Sequence, residues 1–242
     1  MFEVSLLGLV QGLTEFLPIS SSGHLVLIHS LFGFEVVDSA FDVFVQGGTI
    51  VSLLVYFAPR LKSLELSRTL FGKLIVGCLP AAIIGILLRD YIDVMFADTK
   101  YLALGFLLTT VLLVSTYKKY PQGELTMGKS LLIGLAQAAS ILPSLSRSGA
   151  TIATALVTGV KPKEAFNFSF LTSIPLVAGA SVLSLNELTW DRSHAPLYIV
   201  GFVIATISGY YSLIILDKII KSGKLYLFAP YTAALTLISL FL

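Results

Sequence analysis

The stretch VQGLTEFLPISSSGHLVL, residues 10–27, decides how this chain folds. It sets a carboxylate (Glu15), three consecutive serines (Ser20, Ser21, Ser22) and a histidine (His24) inside an otherwise apolar run. Gln11 and Glu15 lie four apart and share one helical face. Pro18 disfavours helix at Leu17, which predicts that the first helical piece closes there. The Ser-Ser-Ser-Gly segment then reads as a loop, with Ser20 or Ser21 as the cap of a second helical piece starting near His24. That piece, HLVLIHSLF, would rise only about 14 Å. A hydrocarbon core is about 30 Å thick, so the segment can dip into a bilayer and return but cannot cross it.

The rest of the chain makes the bilayer the relevant solvent. Of 242 residues, 56% are hydrophobic and 12% charged, and the mean hydropathy is +0.90. Soluble domains carry about twice that charged fraction. Apolar runs near 39–58, 70–88, 101–117, 165–185, 196–216 and 225–242 each have about the length of a crossing helix. The N-terminus lacks a basic region and a small-residue cleavage pattern, so it does not read as a signal peptide, and the mature chain is expected to begin near Met1. Cys78 is the lone cysteine, which excludes an intrachain disulfide and a thiolate metal site; it reads as a core thiol. The net charge of +2 gives no footing for nucleic acid.

The charges are sided. Lys and Arg gather at Arg60, Lys62, Arg68 and Lys73; at Lys118, Lys119 and Lys129; at Lys161 and Lys163; and at Lys218, Lys221 and Lys224. The connections around Glu35/Asp38, Asp90/Asp93/Asp98 and Glu187/Asp191 are acidic or mixed. The positive-inside rule places all four basic groups in the cytoplasm. That requires segments 3–32 and 126–160 each to enter and leave on one face, as re-entrant hairpins. Backbone of this kind is tolerated at depth only where protein or a wet cavity surrounds it.

The sequence also repeats. Slid by 126 positions, GLVQGLTEFLPISSSGH falls on GLAQAASILPSLSRSGA, so that Gly8 meets Gly134, Gln11 meets Gln137, Ser20 meets Ser146, Ser22 meets Ser148 and Gly23 meets Gly149. Further on, Gly33 meets Gly159. The expected architecture is an all-α integral membrane protein of six transmembrane helices plus two re-entrant helical hairpins. It forms a single membrane domain over 1–242, with one repeat at about 1–120 and the other at about 125–242. Three crossings per copy invert one repeat against the other, and such interlocked repeats place their site where the broken helices meet. Both termini are expected outside.

Two helix starts facing each other are anion sites. In the second copy Arg147 stands where the first has Ser21, adding a guanidinium suited to phosphate oxygens. The chemistry this set offers is hydrolysis of a phosphoanhydride. Arg147 and the helix ends hold the phosphates, and Glu15, with Gln11, binds a divalent cation or orients water. His24 acts as acid, base or nucleophile, and Ser21 is a candidate nucleophile activated by it. The plainer alternative is a structural ion pair between Glu15 and Arg147 locking the hairpins together. It accounts for neither the histidine nor the serines. His29 and His194 lack such neighbours.

The stretches QGLTEFLPISSSGH and LPSLSRSGATI closely resemble the two signatures of the undecaprenyl-pyrophosphate phosphatase family, also called the bacitracin-resistance protein family. The resemblance runs along the chain and includes FDVFVQGGTI and FNFSFLTSIPLVAGA. It implies a membrane enzyme that removes the terminal phosphate of a C55 polyprenyl diphosphate, recycling the lipid carrier of cell-wall glycan synthesis. It implies the same six spans and two hairpins, a cell (plasma or inner) membrane location, and a divalent cation, Mg²⁺ or Ca²⁺. The family's acidic motif falls on Gln11 and Glu15, its first loop on Ser20, Ser21, Ser22, Gly23 and His24, and its second on Ser146, Arg147, Ser148 and Gly149. Two departures are Gln11, a glutamate in many members, and Ser144, a glycine in many members. The expected partners are the polyprenyl diphosphate and membrane lipid, with a homodimer left open. The rival class is a polyprenyl-phosphate flippase using the same cavity. Acid-phosphatase-type lipid phosphatases need an Arg-Pro motif and a second histidine following an arginine, and intramembrane serine proteases need Gly-x-Ser-Gly; neither pattern is present.

Overall fold

Proline and serine chemistry cuts the N-terminal segment in two. Helix α1 (Phe2–Phe16) stops at Leu17, which takes an extended conformation (φ −62°, ψ 148°) ahead of Pro18. Helix α2 (Ser21–Phe32) starts behind Ser20 and ends on Gly33, whose left-handed φ of 62° lets its N–H donate to the His29 carbonyl. The computed structural model describes residues 1–33, 39–63, 67–88, 91, 95, 99–184 and 192–242. The acidic connections at Glu35/Asp38, Asp90/Asp93/Asp98 and Glu187/Asp191 lie outside these residues.

The remaining helices follow the apolar runs: α3 (Ser39–Ser63), α4 (Arg68–Leu87), α5 (Thr99–Ser115), α6 (Met127–Ala139), α7 (Arg147–Val157), α8 (Pro162–Ser184), α9 (Ala195–Lys221) and, after a 3-10 turn at Leu225–Phe228, α10 (Ala229–Leu240). The described residues contain no strand, only an isolated bridge between Gly123 and Val160. Among the described residues four segments are long and apolar enough to cross a membrane: Phe41–Pro59, Arg68–Leu87, Pro162–Val182 and Ala195–Lys221. The sequence led us to expect six. Tyr101–Ser115 and Leu225–Leu240 are apolar but shorter, the latter because Pro230 restarts the helix after the 3-10 turn. Helices α1, α2, α6 and α7 have 15, 12, 13 and 11 residues. None exceeds about 23 Å, short of a bilayer core.

The two hairpins are gripped crosswise. Helix α1 packs chiefly on α9, and α6 chiefly on α4. Glycine makes both approaches possible. A Cβ at Gly8 would sit 2.7 Å from the Gly201 carbonyl oxygen, and one at Gly134 would sit 2.6 Å from that of Gly77. The Ser212 hydroxyl donates to the Leu13 carbonyl at 2.8 Å, tightening the α1–α9 contact. Helix α3 joins α9 through Ser52, which is buried and donates to the Thr206 carbonyl at 2.6 Å. Helices α5 and α10 pair with each other, sharing a 2.8 Å hydrogen bond between the Thr110 and Thr232 hydroxyls. Phe16 at the end of α1 meets Phe170 of α8 edge-on at 5.6 Å. These rings, with Phe57 and Phe166, belong to the main hydrophobic core cluster. Outward faces such as Phe71, Ile75, Leu79 and Ile83 of α4 stay apolar and exposed, as a lipid-facing helix requires.

Candidate active site at the hairpin tips

Both hairpins turn by the same device. Ser20 accepts a hydrogen bond from the Gly23 N–H and pairs with the Ser22 hydroxyl at 3.3 Å. Ser146 accepts from the Gly149 N–H at 3.1 Å and pairs with the Ser148 hydroxyl at 3.3 Å. A serine accepting from the residue three positions on is an N-cap. The helices therefore begin at Ser21 and Arg147, the first of them three residues ahead of the start near His24 read from sequence. The Ser-Ser-Gly and Arg-Ser-Gly segments are first helical turns. The tips touch: Ser148 donates to the Leu17 carbonyl at 3.2 Å, and a Cβ on Gly149 would lie 3.4 Å from the Pro18 side chain. A Cβ on Gly23 would fall on the Phe106 ring and 2.7 Å from the Ser144 hydroxyl. Glycine at 23 lets the start of α2 close on α5 and on Ser144 of the opposite hairpin.

Glu15 joins the two starts. Its Oε2 accepts from the Ser21 hydroxyl at 2.7 Å and from the Gln11 amide at 3.0 Å. Its Oε1 accepts from Arg147 Nη2 at 2.6 Å. The carboxylate thus sits against the first residues of α2 and α7, where the helix dipoles favour an anion. The Glu15 and Arg147 side chains are 14% and 18% exposed, so the pair is shielded but reachable. Arg147 Nη1 is buried and has no hydrogen-bond partner among the described residues. A buried, unpaired guanidinium N–H is costly unless a ligand completes it. That atom separates a binding role from the plain structural lock, which would use the whole fork.

His24 is buried beside this centre and faces the other way. Its Nδ1 lies 2.6 Å from the Ser20 carbonyl and its Nε2 lies 2.7 Å from the Tyr231 hydroxyl. The ring stacks on Tyr231 at 5.6 Å and meets Phe106 edge-on at 6.0 Å. The structure therefore brings Gln11, Glu15, Ser21 and Arg147 into one hydrogen-bonded set, with Ser20, Ser22, Gly23, Ser146, Ser148 and Gly149 forming the two caps around it. It pairs Ser21 with Glu15, where we expected His24 as its partner. Serine and histidine three apart on one helix start both emerge near the tip, but the short Ser20 carbonyl contact turns the imidazole toward α10.

The second copy repeats the scaffold but carries a different share of the chemistry. Ile141 and Ala150 stand where the first copy has Glu15 and His24. Gln137, the counterpart of Gln11, spends its amide N–H on the Gly77 carbonyl and its oxygen on Thr172. The second copy contributes the guanidinium, the first copy the carboxylate, hydroxyl and imidazole. Among the described residues no group of three or more His, Cys, Asp and Glu gathers as a metal cage. The carboxylate of Glu15 and the amide oxygen of Gln11 are the hard donors at the centre. Tyr231 went unnoticed in the sequence. It lies in the last apolar run behind Pro230, where nothing in its spacing points to residue 24.

Comparison with known proteins agrees with the resemblance carried by the tips. The family model described as bacitracin resistance protein BacA matches residues 4–238. The chain is 37% identical over 243 residues to an undecaprenyl-diphosphatase of Carboxydothermus hydrogenoformans, covering 95% of this chain and 92% of that one. It is 34% identical over 268 residues to an undecaprenyl-diphosphatase of Desulforapulum autotrophicum, covering 99% and 97%. A third, from Korarchaeum cryptofilum, is 37% identical over 249 residues and covers 95% and 94%. Matched from near its first residue to near its last, the chain belongs to the bacitracin resistance protein BacA family.

Proposed function

We propose that the chain hydrolyses undecaprenyl diphosphate, or a polyprenyl diphosphate of similar length, to the polyprenyl phosphate and inorganic phosphate. The observation that carries this is the Glu15 carboxylate accepting from both Ser21 and Arg147, beside an unpaired, buried Arg147 N–H. In the proposed reaction the diphosphate replaces Glu15 at Arg147 and at the two helix starts. Glu15 Oε2 takes the Ser21 proton as Oγ bonds to the terminal phosphorus. The bond from that phosphorus to the bridging oxygen breaks, releasing polyprenyl phosphate. Water then hydrolyses the phosphoserine, releasing inorganic phosphate and restoring the hydroxyl. His24 serves proton transfer in these steps.

The donors at the centre suit a cation carried in by the substrate. Mg²⁺ is ordinarily bound through one or two carboxylates together with substrate phosphates, whereas Ca²⁺ takes six to eight oxygens. Glu15 and Gln11 would hold such an ion, which supplies charge neutralisation on the transferred phosphoryl group. For the membrane arrangement, we take α3, α4, α5, α8, α9 and α10 as six crossings and the α1–α2 and α6–α7 pairs as re-entrant hairpins. The crosswise packing of α1 on α9 and α6 on α4 supports two repeats, 1–120 and 125–242, of opposite orientation. The basic connections then face the cytoplasm of a cell membrane and both termini face outward. The relatives bear a hydrolase's name, and no observation favours a flippase.

Phosphate release from undecaprenyl diphosphate in detergent, with and without Mg²⁺ or Ca²⁺, tests the reading. Wild type is expected to release phosphate, and Ser21→Ala and Arg147→Ala are expected to lose release while staying folded. Acid quenching during turnover separates the nucleophiles, since a serine phosphate ester survives acid and a phosphohistidine does not. No release from folded wild type sinks the enzyme reading.

A further inference from the structure

The ring of His24 is held on every side, and each contact comes from a different part of the chain. A carbonyl can only accept, so the 2.6 Å contact to the Ser20 oxygen puts a proton on Nδ1. In the neutral ring Nε2 is then the lone-pair nitrogen, and it accepts from the Tyr231 hydroxyl at 2.7 Å. Tyr231 also stacks on the ring, with planes 15° apart, while Phe106 closes one edge. Phe106 and Thr110 lie one turn apart on α5, and Thr110 is bonded to Thr232, the residue after Tyr231. One face of α5 therefore closes on the imidazole and also fixes the helix that brings the tyrosine. Ser20 takes a φ of 68°, a sparsely populated conformation for a side chain-bearing residue, whereas its counterpart Ser146 rests at −61°. The strained cap is the one whose carbonyl holds an imidazole. The relaxed cap has Ala150 there.

We infer that Tyr231 is a positioning residue for the reaction: with the Ser20 carbonyl fixing the proton on Nδ1, its hydroxyl donates to Nε2 and holds that proton-accepting nitrogen in place. A proton passing between Nε2 and water or a leaving oxygen is then relayed by this hydroxyl, so its removal slows that transfer. Tyr231 is 46% exposed, so the phenol has room to move. This rests on the phosphatase reading for its kinetic half, but the ring geometry can be read separately.

The test uses the full chain in detergent, labelled with ¹⁵N-histidine. His24 is one of three histidines and is assigned from the signal missing in His24→Gln. Wild type is expected to show a protonated Nδ1 and a bare Nε2. Tyr231→Phe keeps the stacked ring and removes only the hydroxyl. In it, Nδ1 is expected to stay protonated against the Ser20 carbonyl while the Nε2 signal moves to that of a nitrogen without a hydrogen bond, and kcat to fall about tenfold with KM within about twofold. Tyr231→His, which restores a hydrogen-bonding ring, is expected to recover part of the loss. An unchanged Nε2 signal in Tyr231→Phe overturns the inference, as does a bare Nδ1 in wild type. A rise in KM with kcat held also overturns it, because the tyrosine would then be touching substrate. Failure of wild type to release phosphate would refute the phosphatase reading and its kinetic half, while the nitrogen signals still decide the tautomer.

Discussion

Replacing Glu15 by glutamine removes one charge and changes almost no volume, so its effects can be worked out bond by bond. The carboxylate accepts three hydrogen bonds: 2.6 Å from Arg147, 2.7 Å from Ser21 and 3.0 Å from Gln11. An amide oxygen can keep Arg147. Its NH₂ then faces the Ser21 oxygen and the Gln11 amide, so the serine must turn its O–H away and Gln11 must flip. One or two bonds to a charged acceptor are lost, each worth about 1.5–3 kcal/mol. With the side chain still 14% exposed, water offsets part of this. A net destabilisation of about 2 kcal/mol is expected. The catalytic loss is larger, because the Ser21 proton no longer has an acceptor. General-base removal costs about 10²–10⁴-fold, or about 3–5 kcal/mol. Phosphate release under saturating undecaprenyl diphosphate measures the rate, and scanning fluorimetry measures the shift in Tm. A tenfold excess of Mg²⁺ should not restore the rate, which separates loss of the base from loss of a cation ligand. A folded Glu15→Gln protein turning over within about twofold of wild type would refute the base assignment, and with it the reason for pairing the two hairpins through this residue.

Four further substitutions test the other contacts. Arg147→Lys keeps the charge and loses the fork, so kcat/KM should fall at least about tenfold with little change in Tm, measured in the same assay. Gly134→Ala would put a methyl 2.6 Å from the Gly77 carbonyl oxygen and should cost about 1–3 kcal/mol by forcing α6 off α4. Gly128→Ala on the same helix meets nothing within 4 Å and should be neutral or raise stability by about 0.5 kcal/mol; equal Tm shifts for the pair would sink the close-approach argument. Ser144 combines a φ of 62° with a buried, unpartnered hydroxyl. Ser144→Gly should therefore raise stability by about 1 kcal/mol, visible as a higher Tm.

Much of this was legible from local chemistry. Pro18 announced the break after α1, and Ser20 was one of two caps that the first loop offered, because a proline or a capping serine acts over three or four residues. The hydrophobic runs marked the helices for the same reason. The Glu15–Arg147 pair was readable as one of two alternatives, since the offset of 126 positions set the two loops in correspondence. What stayed hidden depended on distances across the chain. The direction of the His24 ring depends on Tyr231, 207 positions away. The assignment of Ser21 to Glu15 depends on how α1 leaves Pro18, a matter of backbone angles that residue types do not encode. The length of the last helix depended on a 3-10 turn at Leu225–Phe228 that the unbroken apolar run concealed.

The crosswise grip of the hairpins has a consequence for synthesis. Helix α1 leaves the ribosome first, yet the helix it packs on, α9, ends at Lys221, near the close of the chain. Until then α1 and α2 are two short helices that carry Glu15, Ser21, Ser22 and His24 without the helix on which α1 chiefly packs. They must wait at the membrane surface, or under a chaperoning insertase, while nearly two hundred residues follow. The first polar residues translated are thus among the last to reach their places, and neither half of the chain made alone has the surface its own hairpin needs. A ribosome stalled just short of α9 should hold a protein whose N-terminal hairpin is open to proteases, and one stalled just after α10 should not.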